Sequence, residues 1–154
     1  MYVFVIVLII LTIIATEGFA YIWHRFIAHT DYILAIGETH NIHHSANMQH
    51  EADEDFIWLL FLMILSELAA GVSIMLAILP ETIVMIALAT SILVLFWNWW
   101  IHRAYHVDKH WLNTYDWFRR EKRRHYLHHY QTDKNYGIAS HFLDRIMGTW
   151  IDSV

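Results

Sequence analysis

The chain contains no cysteine. Disulfides, thiolate zinc sites and thiol catalysis are excluded with it. Proline occurs once, at Pro80, and glycine five times, so little interrupts a helix. Charge is scarce as well. Of the 154 residues 16% are charged and 57% hydrophobic, whereas a soluble domain carries about 25% charged residues. Basic residues are missing from 1–24 and from the Leu79-Pro80-Glu81 turn, since all ten Lys and Arg lie at Arg25 or in 103–145. The net charge of −5 hides this asymmetry.

Long apolar runs make up the difference in composition. Met1 to Ile22 holds one charge, Glu17; Phe56 to Leu79 holds one, Glu67; Thr82 to Ile101 holds none. A bilayer-spanning helix needs about 20 mostly apolar residues, and each run reaches that length. The first run lacks a basic leader segment and a histidine pair follows it at once, so it reads as a retained span. The expected fold is all-α: an integral membrane helical bundle with three predicted transmembrane helices, about 2–23, 56–79 and 82–101. Residues 1–154 form one domain. By the positive-inside rule 24–55 and 102–154 make a cytoplasmic, histidine-rich cap, with the N-terminus and the Pro80 turn on the opposite side. "EADED" at 51–55 reads as a solvated helix start, where acids suit the positive end of the dipole.

Ten of the thirteen histidines fall into four tight groups. They are His24 and His29 in "HRFIAH", His40, His43 and His44 in "HNIHH", His102 and His106 in "HRAYH", and His125, His128 and His129 in "HYLHH". Each group lies at or beyond the expected cytoplasmic end of a span, or in the tail, so all four can meet at one level. Residues i, i+3 and i+4 share a helix face, which aligns His102 with His106 and the three rings of each HxxHH group. His24 and His29 differ, because i, i+5 turns by roughly 140°. They are expected to straddle a site rather than chelate one ion, unless the helix ends between them. Imidazole suits iron, zinc, copper or nickel. Ten rings exceed one closed four-coordinate zinc site. They indicate two ions with about five rings each, or fewer rings plus water or substrate. Lone histidines such as His50 and His141 read as core or interfacial residues. His110, four residues past His106, reads as an extra ligand, a donor behind a ligand, or neither.

Acids and amides near these groups are candidate supports. Glu121 precedes His125 by four residues and is expected to orient it. Glu17 lies seven residues before His24, inside the membrane, where acids are costly and point to function. Glu67 leans to packing, with a place in a substrate channel as its alternative role. Asn98, four residues before His102, is placed to line a substrate channel just above the metals. Wound as a helix, 119–129 sets the three histidines with Phe118 and Glu121 on one stripe, bordered by Lys122. Arg119, Arg120, Arg123 and Arg124 then lie opposite, towards lipid phosphates or an acidic electron-transfer partner.

The order HX4H, HX2HH, HX3H, HX2HH, with apolar spans between the second and third boxes, resembles the fatty acid hydroxylase and sterol desaturase superfamily of integral-membrane di-iron enzymes. The tail "KRRHYLHHYQTDKNYGIASHFLDRIMGTW" is similar to that family's last box with its NYG and D-R-x-x-G-T segment. The resemblance covers about Glu17 to Trp150. It implies that the ten grouped histidines bind two irons, with zinc as a substitute acquired on purification. It also implies that Asn135, Tyr136, Gly137, Asp144, Gly148 and Thr149 shape the cap, Asp144 being structural or in contact with the site. The implied activity is O2-dependent hydroxylation of a C–H bond in a membrane lipid: fatty acyl, sphingolipid or sterol-like. Fatty acid 2-hydroxylases commonly carry Tyr-Asp where Asn98 and Trp99 stand here. Carotenoid ring hydroxylases share the HX4H box and an acid seven residues before it, so a carotenoid ring hydroxylase and a lipid desaturase are the alternatives. Outside enzymes, the alternative is a membrane metal-binding protein. The 154 residues include no cytochrome b5-like domain, so a separate ferredoxin or cytochrome b5 with its reductase is the expected electron donor. No nucleic-acid partner is expected.

Overall fold

The first apolar run forms a single helix, α1, Tyr2–Trp23, in the computed structural model of the chain. The structure describes residues 2–29, 40, 43–45, 71 and 73–153. Most aliphatic side chains of α1 are exposed or half-exposed, among them Ile10, Leu11 and Ile14. Its buried residues, Thr16, Ala20, Tyr21 and Trp23, crowd its C-terminal third. An apolar helix so little covered by protein is built to be covered by lipid.

After α1 come α2, Ser73–Ile78, and α3, Glu81–Tyr105. Pro80 separates them, and its carbonyl accepts from the N–H groups of Ile83 and Val84 to start α3. Val84, Ala87, Leu95, Asn98, His102 and Tyr105 lie on the buried stripe of α3, at spacings of three, four or, between Ala87 and Leu95, eight residues that keep to one helix face. α1 packs on this stripe. Thr16 Oγ1 lies 2.9 Å from Ser91 Oγ, and Ala20, Trp23 and Ala28 cluster with Leu95. Small residues and an interhelical hydroxyl pair let helices approach closely where no water drives them together. The two helices run in the same direction, so their C-terminal ends reach the cap side by side.

Tyr2–Ala28 and Glu81–Tyr105 are long and apolar enough to cross a membrane. The expected middle span, 56–79, lies mostly outside the described residues, as do "EADED", His50 and Glu67. The described residues contain helices and no strand.

Beyond α3 a short 3-10 turn, Trp111–Thr114, leads into α4, Asp116–Tyr130, and then α5, Phe142–Met147. Tyr105, Leu112 and Phe118, with Ile101 and Ala104, form the apolar heart of the cap. Gly148, at φ 71°, ends α5 in the left-handed conformation that glycine adopts without strain. On its basic face α4 departs from the sequence expectation at one residue. Arg124 is buried instead of facing outward, paired with Glu121 Oε1 and with Asp152 Oδ1 at 2.7 Å. Arg119, Arg120 and Arg123 are exposed.

Candidate metal centre

The local fold at the end of α1 answers the awkward spacing of the first histidine pair. Over His24–Ala28 the helix widens to a π-turn. A π-turn bonds i to i+5, which brings i and i+5 to one face. His24 and His29 therefore stack, with ring centroids 5.0 Å apart, and belong to one cluster where both can face one ion, instead of straddling a site.

All ten grouped histidines gather at the cap ends of α1, α3 and α4. They divide into two sets of five: His24, His29, His40, His44 and His128, and His43, His102, His106, His125 and His129. Within each set the nitrogens that can bind an ion lie within 4.8 Å of one another. The two HxxHH boxes each serve both sets. His43 parts from His40 and His44, and His128 from His125 and His129.

The ring nitrogens converge as ligands do. In the first set His40 Nε2 lies 3.2, 3.0 and 2.9 Å from the Nε2 atoms of His24, His29 and His44. In the second, His125 Nε2 lies 2.9 Å from His106 Nε2 and 3.1 Å from His129 Nε2. One imidazole nitrogen carries a single proton or a single lone pair, so it cannot satisfy three neighbours by hydrogen bonding. Rings bound at about 2.0–2.1 Å to a common ion have nitrogens roughly 3 Å apart when set at right angles. The donor set thus fits two cations. Two rings also have their far nitrogens engaged by backbone. His24 Nδ1 lies 2.6 Å from the Tyr136 carbonyl, and His128 Nδ1 lies 2.6 Å from that of Lys134. A donor bond from Nδ1 fixes the tautomer and aims the Nε2 lone pair inward.

Burial, reinforced by neighbouring histidines, depresses the proton affinity of these rings. His29, His43 and His129 are pushed down to about 2, and His44 to about 3. His40, His125 and His128 fall well below the ordinary histidine value. At neutral pH they are uncharged, the form that binds metal.

Among known proteins, the model of the fatty acid hydroxylase family matches residues 9–149. The chain belongs to that family. No curated protein and no solved structure matches it. Membership in the fatty acid hydroxylase family makes the chain an oxidoreductase of the hydroxylase or desaturase type, within an iron-dependent, membrane-associated group. Its histidine clusters are able to hold metal.

The supporting residues sit differently from the sequence expectation. Glu121 does not turn to His125. Its Oε1 pairs with Arg124, and its Oε2 lies 3.1 Å from His141 Nε2, within ion-pair range. His141, which reads as an isolated histidine in the sequence, is buried between two carboxylates, with Asp144 Oδ2 2.9 Å from its Nδ1. Burial opposes its charge, but Asp144 and Glu121 outweigh that and raise its affinity for a proton. The i, i+3 spacing of His141 and Asp144 was the available signal. His110 joins neither cluster; its Nδ1 accepts from Leu112 N and its ring stacks on Phe118. Asn98 donates from Nδ2 to Glu17 Oε1 at 2.8 Å and accepts from Ala139 N at 3.2 Å. Glu17 itself lines a groove of about 630 Å³ between α1 and α3, walled by Ile9, Ile13, Leu93, Trp97 and Phe142. Asn98 is buried behind it.

Proposed function

We propose that this fatty acid hydroxylase inserts oxygen from O2 into an unactivated C–H bond of a membrane lipid, with two irons held by the ten histidines. The observation that carries the reading is the division of ten rings into two convergent sets of five at the ends of two membrane-length helices. Irons bound there, with O2 and electrons from a separate donor, supply the oxidising power. The chain's own contribution is placement. Neutral histidines offer lone pairs, the cap excludes bulk water, and the groove along α1 and α3 offers an apolar wall for a fatty acyl, sphingolipid or sterol-like chain.

The cap is assigned to the cytoplasmic side because every Lys and Arg is at Arg25 or in 103–145. Exposed Arg119, Arg120 and Arg123 suit an acidic donor of ferredoxin or cytochrome b5 type. A metal transporter is the weaker reading, since transport sites lie near the bilayer midplane and these histidines cluster at helix ends.

Lipid mass spectrometry tests the proposal. Wild type and His128→Ala are expressed in a host with a compatible donor. A lipid heavier by one oxygen in the wild type alone is the expected result. A lipid lighter by two hydrogens would instead make the enzyme a desaturase. Unchanged lipids from an iron-loaded, donor-supplied wild type would sink the reading.

A further inference from the structure

Two ligands of one five-histidine set are held by two peptide planes of a single loop. The Tyr136 carbonyl that meets His24 Nδ1 shares its peptide plane with the Gly137 N–H, and that N–H donates to Asp144 Oδ2 at 2.8 Å. The Lys134 carbonyl that meets His128 Nδ1 shares its plane with the Asn135 N–H, which donates to the Thr149 carbonyl at 2.9 Å. We infer that Asp144 is a positioning residue for the metal centre, acting on His24 through the 136–137 peptide and so setting the affinity of one of the two metal sites. The inference rests on the two-metal reading above.

Three features support it. Asp144 is fully buried and its carboxylate is committed: Oδ1 accepts from Tyr136 N and Thr149 Oγ1, Oδ2 from Gly137 N and His141 Nδ1. A buried carboxylate on an N–H polarises the carbonyl of the same peptide, which strengthens the bond from the imidazole and raises the basicity of its metal-binding nitrogen. Gly137 permits the approach. A Cβ there would stand 2.0 Å from the Ser140 carbonyl oxygen and 2.8 Å from Asp144 Oδ2, so any side chain drives the peptide off the carboxylate. Asn135 fixes the register from the other end. It is buried at φ 51°, a left-handed conformation that asparagine tolerates better than most residues, and its side chain bonds both the N–H and the carbonyl of Ile151.

Both histidines belong to the first set, so the effect is confined to one site. Cobalt(II) titration of the purified full chain in detergent, followed by its visible spectrum and by bound metal per chain, reads this directly. Wild type is expected to take two equivalents. Asp144→Asn is expected to weaken one of them about 10–100-fold and leave the other unchanged, with helix content preserved. Asp144→Asn is also expected to add nothing on a His24→Ala background, because both changes act on the same ligand. Gly137→Ala, which displaces the same peptide while keeping the carboxylate, should weaken the same equivalent and decides the matter if Asp144→Asn does not fold. Parallel weakening of both equivalents, additivity with His24→Ala, or two unweakened equivalents would overturn the inference. A wild type that binds no metal would overturn the two-metal reading instead.

Discussion

His141 shows how much one side chain's neighbours decide. Alone in the sequence it reads as a core histidine, whereas in the cap it lies buried between the carboxylates of Asp144 and Glu121, which raise its affinity for a proton. Its proton affinity is raised, so its contribution to stability is complete below the unfolded-state value of about 6.5 and is lost as pH rises through the folded-state value. The clustered histidines, whose proton affinity burial depresses, act in the opposite sense. They cost stability as pH falls below about 6.5, where the unfolded chain takes up protons that the folded chain refuses, and they are silent above it. Thermal melts of metal-free protein between pH 6.5 and 9 should therefore show a falling midpoint in wild type and a flatter profile in His141→Phe. Equal slopes would mean that His141 is neutral when folded. The sequence concealed this group because its partners are 20 residues upstream and three downstream, and only folding brings Glu121 across to it. Glu121 follows the same rule: Arg124 and His141 lie within reach of its two oxygens, and the sequence shows neither contact in advance.

At the scale of elements, spacing made the shared histidine faces legible and one departure from α-helical geometry limited the reading. The HX3H and HX2HH boxes obey the ordinary helix period, so their shared faces follow from sequence alone. The division of each HxxHH box between two clusters does not, because it depends on the angle at which separate helices meet. HX4H misleads under an α-helical period and makes sense only with the π-turn at His24–Ala28. Inserting one alanine after Phe26 should swing His29 about 100° off its cluster. We expect that variant to lose one bound metal at unchanged helix content. Deleting Phe26 returns the pair to i, i+4 on a regular helix, and we expect it to retain more metal than the insertion. The reverse order, read by metal analysis, would remove the π-turn from the account.

For the whole molecule, apolar runs and the placement of basic residues carried most of what could be read in advance. Two of the three expected spans correspond to membrane-length helices with their histidine ends together. The lipid-facing groove was not legible, since it forms where α1, α3 and the start of α5 meet and no local pattern records that meeting. The exposed arginines of α4 act at this scale too. Arg120→Glu should weaken association with anionic vesicles or an acidic donor by several-fold, more at low salt than at high, while bound metal stays constant. Vesicle co-sedimentation and donor titration at two ionic strengths would check it, and loss of metal in that variant would mean the α4 register is wrong.

The bonds that assemble the centre span most of the chain. His29 meets His128 across 99 residues, His24 meets Tyr136 across 112, and Tyr21 meets Thr149 across 128. Synthesis proceeds from the N-terminus at about 5–20 residues per second. His43 therefore leaves the ribosome well before the other four rings of its set, and His24, His29, His40 and His44 well before His128, which completes theirs. Neither five-ring set is complete until His128 and His129 have been made. A nascent chain arrested after Tyr130 would carry all ten clustered histidines and still lack the loop whose carbonyls hold two of them.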